Sequence, residues 1–323
     1  MENAGEKFYQ RRDGPGIIGS WIKTKYHSIS RQAMLTIDPK EIPVPKMHSY
    51  LLGAVVPRPI AFASTIDKKG NVNLSPFSFF NCFSATPPIL VFSPSRKGRD
   101  NTTKHTYENV KEVPEVVINI VSYSMVQQTS LASCEYPKGV NEFVKVGLTE
   151  RPSTKVKPPR VGESAVSFEC KVNQNIELGT KGGAGNLVIC EILLMHIKED
   201  VLDESGRIDP RKLDAVARMG DDYYLRVQGD SIFTVPKPNE KLGIGFDHLS
   251  EKIRNSPVLT GNDLGKLATI ERFPDQAEII VFKKNPEVME AELRGEQALH
   301  TLARQYLENG RVEDAWKVLL GIL

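Results

Sequence analysis

Paired cysteines are missing from this sequence. Cys82, Cys134, Cys170 and Cys190 lie far apart in 323 residues, with no C-x-x-C pair and no histidine at zinc-ligand spacing. That argues against both a structural zinc site and a disulfide framework, and it fits a reducing compartment. Long apolar runs are missing too: residues 1–30 hold no stretch of signal-peptide length, and no run elsewhere approaches the roughly 18 residues that span a bilayer. The expectation is a cytoplasmic chain with no membrane partner. Nor does either charge dominate, since 42 Lys+Arg face 40 Asp+Glu for a net charge of +2. Bulk charge therefore disfavours a nucleic-acid partner. From residue 240 onward there are 11 basic and 14 acidic side chains, which leaves the main body mildly cationic and suited to a small anionic ligand.

Residues 1–33 mix charges, glycines and a proline without a clear period, and read as an N-terminal extension, either a loose tail or an arm that covers a partner subunit. From His48 the pattern LLGAVVPRPIAFAST is that of a strand. The stretch DKKGNVN then suits a tight reversal, and LSPFSFFNCFS and PPILVFS follow as further strands. KHTYENVKEV reads as a short helix, EVVINIVS as a buried strand, and residues 125–133 and 141–146 as two short helical pieces. Beyond a proline-bearing linker, SAVSFECKVNQNIEL and NLVICEILLMHIKED form a second hairpin joined by GTKGGAG. Many strands with few, short helices between them predict a mainly antiparallel β-barrel with helical decorations, because a βαβ array needs a long crossover helix after each strand. Residues 34–239 form that domain. Residues 240–323 form a helical appendage whose last stretch places Leu293, Leu299, Leu302, Tyr306 and Leu307 at helical spacing.

Arg96-Lys97-Gly98-Arg99-Asp100-Asn101-Thr102-Thr103-Lys104 lies after a strand and at a helix start. Free N–H groups, the positive helix end, cationic side chains and threonine hydroxyls there suit a phosphate. A solvated basic turn whose Asp100 or Asn101 caps the helix is the alternative. Beside it, Ser75, Ser78, Asn81 and Ser84 interleave with Phe77, Phe79, Phe80 and Phe83, the apolar walls and polar rim that a planar heterocycle needs. An edge strand with satisfied hydroxyls reads equally well.

In order and spacing, several segments resemble the flavin reductase-like, flavoredoxin-type FMN-binding split-barrel family. They are Val56-Pro-Arg-Pro-Ile-Ala-Phe-Ala-Ser-Thr65, Asn73-Leu-Ser-Pro-Phe-Ser-Phe-Phe-Asn81, Pro87-Pro-Ile-Leu-Val91, Asp100-Asn-Thr102 and Glu115-Val-Val-Ile-Asn119. The likeness continues through Lys157–Arg160, Phe168–Cys170, Leu187–Val188 and Arg207–Pro210 to Tyr224, covering roughly residues 40–236. It implies a homodimer of split barrels with FMN at or near the subunit interface, reduced by NADH or NADPH or by another redox protein. It further implies flavin contacts at Ser64 and Thr65 on the first strand, Ser78, Phe79 and Asn81 on the second, and Asp100, Thr102 and Thr103 at the turn into the helix. Arg96, Lys97 and Lys104 join them on charge. Arg96–Arg99 makes this turn longer and more basic than the family pattern. The implied activity is hydride transfer to bound FMN and on to free flavin or another acceptor. A flavoredoxin-type electron carrier and a flavin-binding regulatory module are the alternatives. Because the cofactor carries the electronics, no catalytic side chain is required or assigned.

Other tempting residues have plainer readings. Gly182-Gly183-Ala184-Gly185 joins two strands instead of opening a helix, so it reads as a hairpin turn and only a minor flavin candidate. Cys82 reads as a small buried hydrophobe before a redox thiol. His105 stands near the proposed phosphate, whereas His196 reads as a satisfied structural histidine. Thr260 or Asn262 is the expected N-cap of a later helix, and the apolar stripes of the last helices are expected to be covered by the barrel or a dimer mate.

Overall fold

The computed structural model describes residues 34–238 and 242–321. The N-terminal extension and the boundary expected at 239/240 fall outside the described residues. The chain folds as two units that divide between Ile232 and Phe233.

In the first unit, α1 (Val44–Ala54) opens the described chain. The strand expected from His48 is therefore a helix over its first seven residues. A proline sits in the first helical turn, where the missing N–H costs nothing, and none of the helix's residues is buried. The β-favouring run thus yields its strand only from Ala61, where both faces find cover. β1 (Ala61–Ile66) and β2 (Val72–Phe77) form a hairpin. Their reversal is built on Asp67, whose carboxylate accepts the N–H groups of Lys69 and Asn71, and on Gly70 at φ +85°.

β3 (Phe80–Ala85) and β4 (Pro88–Phe92) follow, then α2 (His105–Glu112), β5 (Glu115–Ile120), α3 (Val126–Leu131), α4 (Glu142–Val146), and the short pair β6 (Glu150–Arg151) and β7 (Arg160–Val161). The long hairpin β8 (Val166–Glu177) and β9 (Asn186–Ile197), α5 (Pro210–Leu213), β10 (Val216–Arg218) and β11 (Tyr224–Arg226) complete the unit. Seven strands make one antiparallel sheet in the order β2-β1-β5-β8-β9-β4-β3.

The outermost strands of that sheet, β2 and β3, are separated in sequence by Ser78 and Phe79 alone. Two residues cannot bridge a flat seven-stranded sheet, so the sheet must curl until its edges approach, which makes a split barrel. Bulges at Glu169/Cys170 and Val172/Gln174 in the long hairpin supply local bends. The run Leu74–Ser84 is consequently two strands at opposite edges, where the sequence suggested one.

Alternation along β1 sends its residues into two cores. Ala61 and Ala63 join Phe92, Ile118, Cys170, Val188 and the α2 residues Tyr107 and Val110. Ile60 and Phe62 join Leu74, Met125 and Phe143 beneath α3 and α4.

The second unit is helical: α6 (Glu251–Arg254), α7 (Gly261–Leu267), α8 (Gln276–Phe282), α9 (Pro286–Arg294), α10 (Glu296–Glu308) and α11 (Val312–Leu320). Thr260 caps α7 in a reciprocal pair with Asp263, as expected. Leu299, Leu302, Ala303, Tyr306 and Leu307 of α10 pack with Leu267 and Trp316. Leu293, expected on the same stripe, is exposed. Gly295, at φ +95°, ends α9 before α10 begins, so the helical phase does not carry across. Among the described residues no helix is long and apolar enough to cross a membrane.

Candidate functional site

The loop between β4 and α2 is held by the hairpin joining β8 to β9. Arg96 N donates to Ala184 O at 2.8 Å, and Gly183 N donates to Arg96 O at 3.0 Å. Gly182 allows this approach: a Cβ there would stand 2.9 Å from Lys97 O. Asn101, in the left-handed region at φ +58°, donates its side-chain amide to Thr180 O at 2.9 Å. The glycine-rich turn therefore shapes the basic loop, a role beyond the flexible turn its sequence suggested.

Within that loop many of the expected phosphate donors are already engaged. The Arg96 guanidinium donates to Asn101 Oδ1 and Asn101 O, the Thr102 hydroxyl to Asp100 Oδ1 at 2.7 Å, and the Thr103 hydroxyl to Glu108 Oε1 at 3.0 Å. The Thr102 hydroxyl and main-chain N–H hold the Asp100 carboxyl down to about 2. Neither Asp100 nor Asn101 caps α2; its N-cap is Lys104, which makes no side-chain cap hydrogen bond.

Lys97, Lys104 and His105 do come together. They line a cavity of about 40 Å³ with Asn73, Ser75 and Glu135. Burial holds Lys104 below its usual value, assisted by the like charges of Lys97 and Arg99 and opposed by Glu135. His105 is likewise depressed, mainly by burial. Half-buried cations at an uncapped helix start form an electropositive seat for an anion. Three larger cavities, about 570 Å³ beside Arg160 and His196, about 490 Å³ in the helical unit and about 210 Å³ beside Tyr123 and Arg226, contain none of the expected site residues.

The remaining expected residues lie apart from this cavity. Ser64 and Thr65 are wholly buried in β1; Thr65 Oγ1 accepts from Asn109 of α2, and the Ser64 hydroxyl has no partner among the described residues. Ser78 and Phe79 form the β2–β3 bend instead of lying on a strand, while Asn81 stands exposed on β3. Cys82 is exposed, where a buried hydrophobe was expected, because β3 is a sheet edge. His196 is structural, with its Nε2 2.6 Å from Oε1 of the fully buried Glu169.

Three positions carried no individual signal. Arg58, 5% exposed, donates to Leu52 O, Val55 O and Met219 O and ties α1 to the bend through Ser78. Glu142 is anchored to β2, and Glu135 reaches the cation cluster from the loop after α3.

The family model described as a flavin reductase like domain matches residues 52–213. The chain belongs to the flavin reductase-like family. An uncharacterised protein of Aquifex aeolicus is 38% identical over 191 residues, which cover 59% of this chain and 95% of that protein. Among solved structures, nitrilotriacetate monooxygenase component B from Bacillus cereus superposes with a TM-score of 0.59 at 30% identity, covering 63% of this chain and 99% of that one. The 2-nitrobenzoate 2-nitroreductase NbaA of Pseudomonas fluorescens gives 0.56 at 26% identity, covering 62% and 96%. This is a family of flavin-related oxidoreductases with the split-barrel fold. The match ends before the helical unit begins.

Proposed function

We propose that this chain binds FMN and catalyses hydride transfer from NADH or NADPH to it, with electrons passing on to free flavin or another acceptor. The observation that carries this reading is the convergence of Lys97, Lys104 and His105 at the uncapped start of α2, within a flavin reductase-like domain. Lys97, Lys104 and the first N–H groups of α2 would hold the phosphate. Ser78 and Phe79, at the bend joining the two sheet edges, and Asn81 on β3 would border the ring, while Asp100, Thr102, Thr103 and Arg96 fix the loop between the seat and these residues. Ser64 and Thr65 would act from beneath, by carrying the strand and seating α2. Bound FMN supplies the ring that accepts and passes on hydride. The chain's part is to orient that ring and neutralise its phosphate.

A homodimer is supported by the exposed apolar residues Val44, Leu51 and Val55 around α1 and Phe83 on the edge strand β3. The two solved relatives are described as a monooxygenase component and a nitroreductase, which supports a redox role here.

Anaerobic mixing of the FMN-loaded protein with NADH or NADPH tests the activity. Bleaching of the flavin's visible absorption is expected. A flavin that stays oxidised removes the enzyme reading in favour of the electron carrier. Protein that takes up no FMN at saturation removes both.

A further inference from the structure

Glu135 stands at the centre of the cation cluster. Its Oε2 accepts from the Arg99 guanidinium and lies 3.7 Å from Lys97 Nζ, while its Oε1 is 4.0 Å from Lys104 Nζ. One carboxylate thus gathers three cations from the basic loop, the arrangement an anionic ligand takes at such a seat. The cavity left beside it is small, about 40 Å³. Glu135 belongs to an exposed connection after α3 and to neither barrel core, so its side chain can turn outward without opening either.

We propose that Glu135 is a tethered occupant of the phosphate seat, which the flavin phosphate displaces, and that this residue sets how loosely FMN is held. The inference rests on the FMN reading above and adds to it a determinant of exchange. A carboxylate fixed beside three cations competes at a high effective concentration, so each arriving phosphate binds with reduced apparent affinity. FMN would then come and go as a substrate does. A flavin without a phosphate would not meet this competition.

FMN and riboflavin titrated into full-length wild type, Glu135→Gln and Lys104→Ala, followed by fluorescence quenching, test the assignment. Glu135→Gln is expected to bind FMN about tenfold more tightly, the scale of one charge-assisted contact, with riboflavin affinity unchanged. Lys104→Ala is expected to weaken FMN alone. Unchanged or weaker FMN binding by Glu135→Gln overturns the proposal, as does an equal gain for riboflavin, which would mark a general loosening of the loop. Loss of FMN selectivity in Lys104→Ala confirms the seat independently, whereas unaltered FMN binding there overturns the seat itself.

Discussion

The Glu142 carboxylate on α4 accepts a hydrogen bond from the main-chain N–H of Leu74 in β2 at 2.9 Å, joining two elements 68 residues apart. Glu142 is 4% exposed, and burial raises its pKa above the usual 4.5 despite the hydrogen bonds it accepts from main-chain N–H groups. A carboxyl that binds its proton more tightly folded than unfolded favours folding at low pH, and that advantage is lost as pH rises above 4.5 through the raised value. Glu142→Gln retains an acceptor without the charge. Its melting temperature should exceed that of wild type at pH 7, with the gap closing below pH 4.5. Glu142→Ala orphans the buried N–H of Leu74 and should cost about 1–3 kcal/mol. A glutamine variant less stable than wild type at neutral pH would refute this account.

Thr102 and Asp100 make a second measurable pair. The threonine hydroxyl is the main cause of the Asp100 carboxyl lying near 2. Thr102→Val removes that donor, so the Asp100 titration followed by NMR should move up toward its ordinary 3.8, while the loop keeps the Arg96–Asn101 bonds that shape it. An unmoved titration would show that the main-chain N–H of Thr102 suffices.

The four cysteines should separate into two classes. Cys82 and Cys134 are exposed, whereas Cys170 and Cys190 are buried in the barrel core. Burial pushes the Cys170 thiol up to about 12 and the Cys190 thiol well above its ordinary value. A disulfide-exchange reagent at mild alkaline pH should count two fast thiols in the native protein and four after denaturation. A third fast thiol would contradict the packing of β8 against β9.

Much of the barrel was readable before any coordinates, because alternation and turn chemistry act locally. Gly70 and the asparagines of DKKGNVN mark the β1–β2 reversal, GTKGGAG marks the long hairpin, and the spacing of Leu299, Leu302, Tyr306 and Leu307 marks α10. The failures have one kind of cause. The helical state of residues 48–54 is hidden in a β-favouring run, the division of Leu74–Ser84 depends on which strands lie at the sheet edges, and Leu293 loses its stripe where Gly295 interrupts the phase.

The candidate site divides along the same line. A basic turn opening a helix was visible in Arg96–Lys104, as was the ordered series of segments shared with the flavin reductase-like family, since both are properties of neighbouring residues. Which donors were free was not visible. That the Thr102 and Thr103 hydroxyls donate hydrogen bonds to Asp100 and Glu108, that Lys97 and Lys104 converge, and that Glu135 reaches them from a distant loop are consequences of chain packing. Side-chain chemistry set by residue type and spacing is written in the sequence. Electrostatic neighbours are set by three-dimensional distance, and the curled sheet and its bordering loops decide that distance.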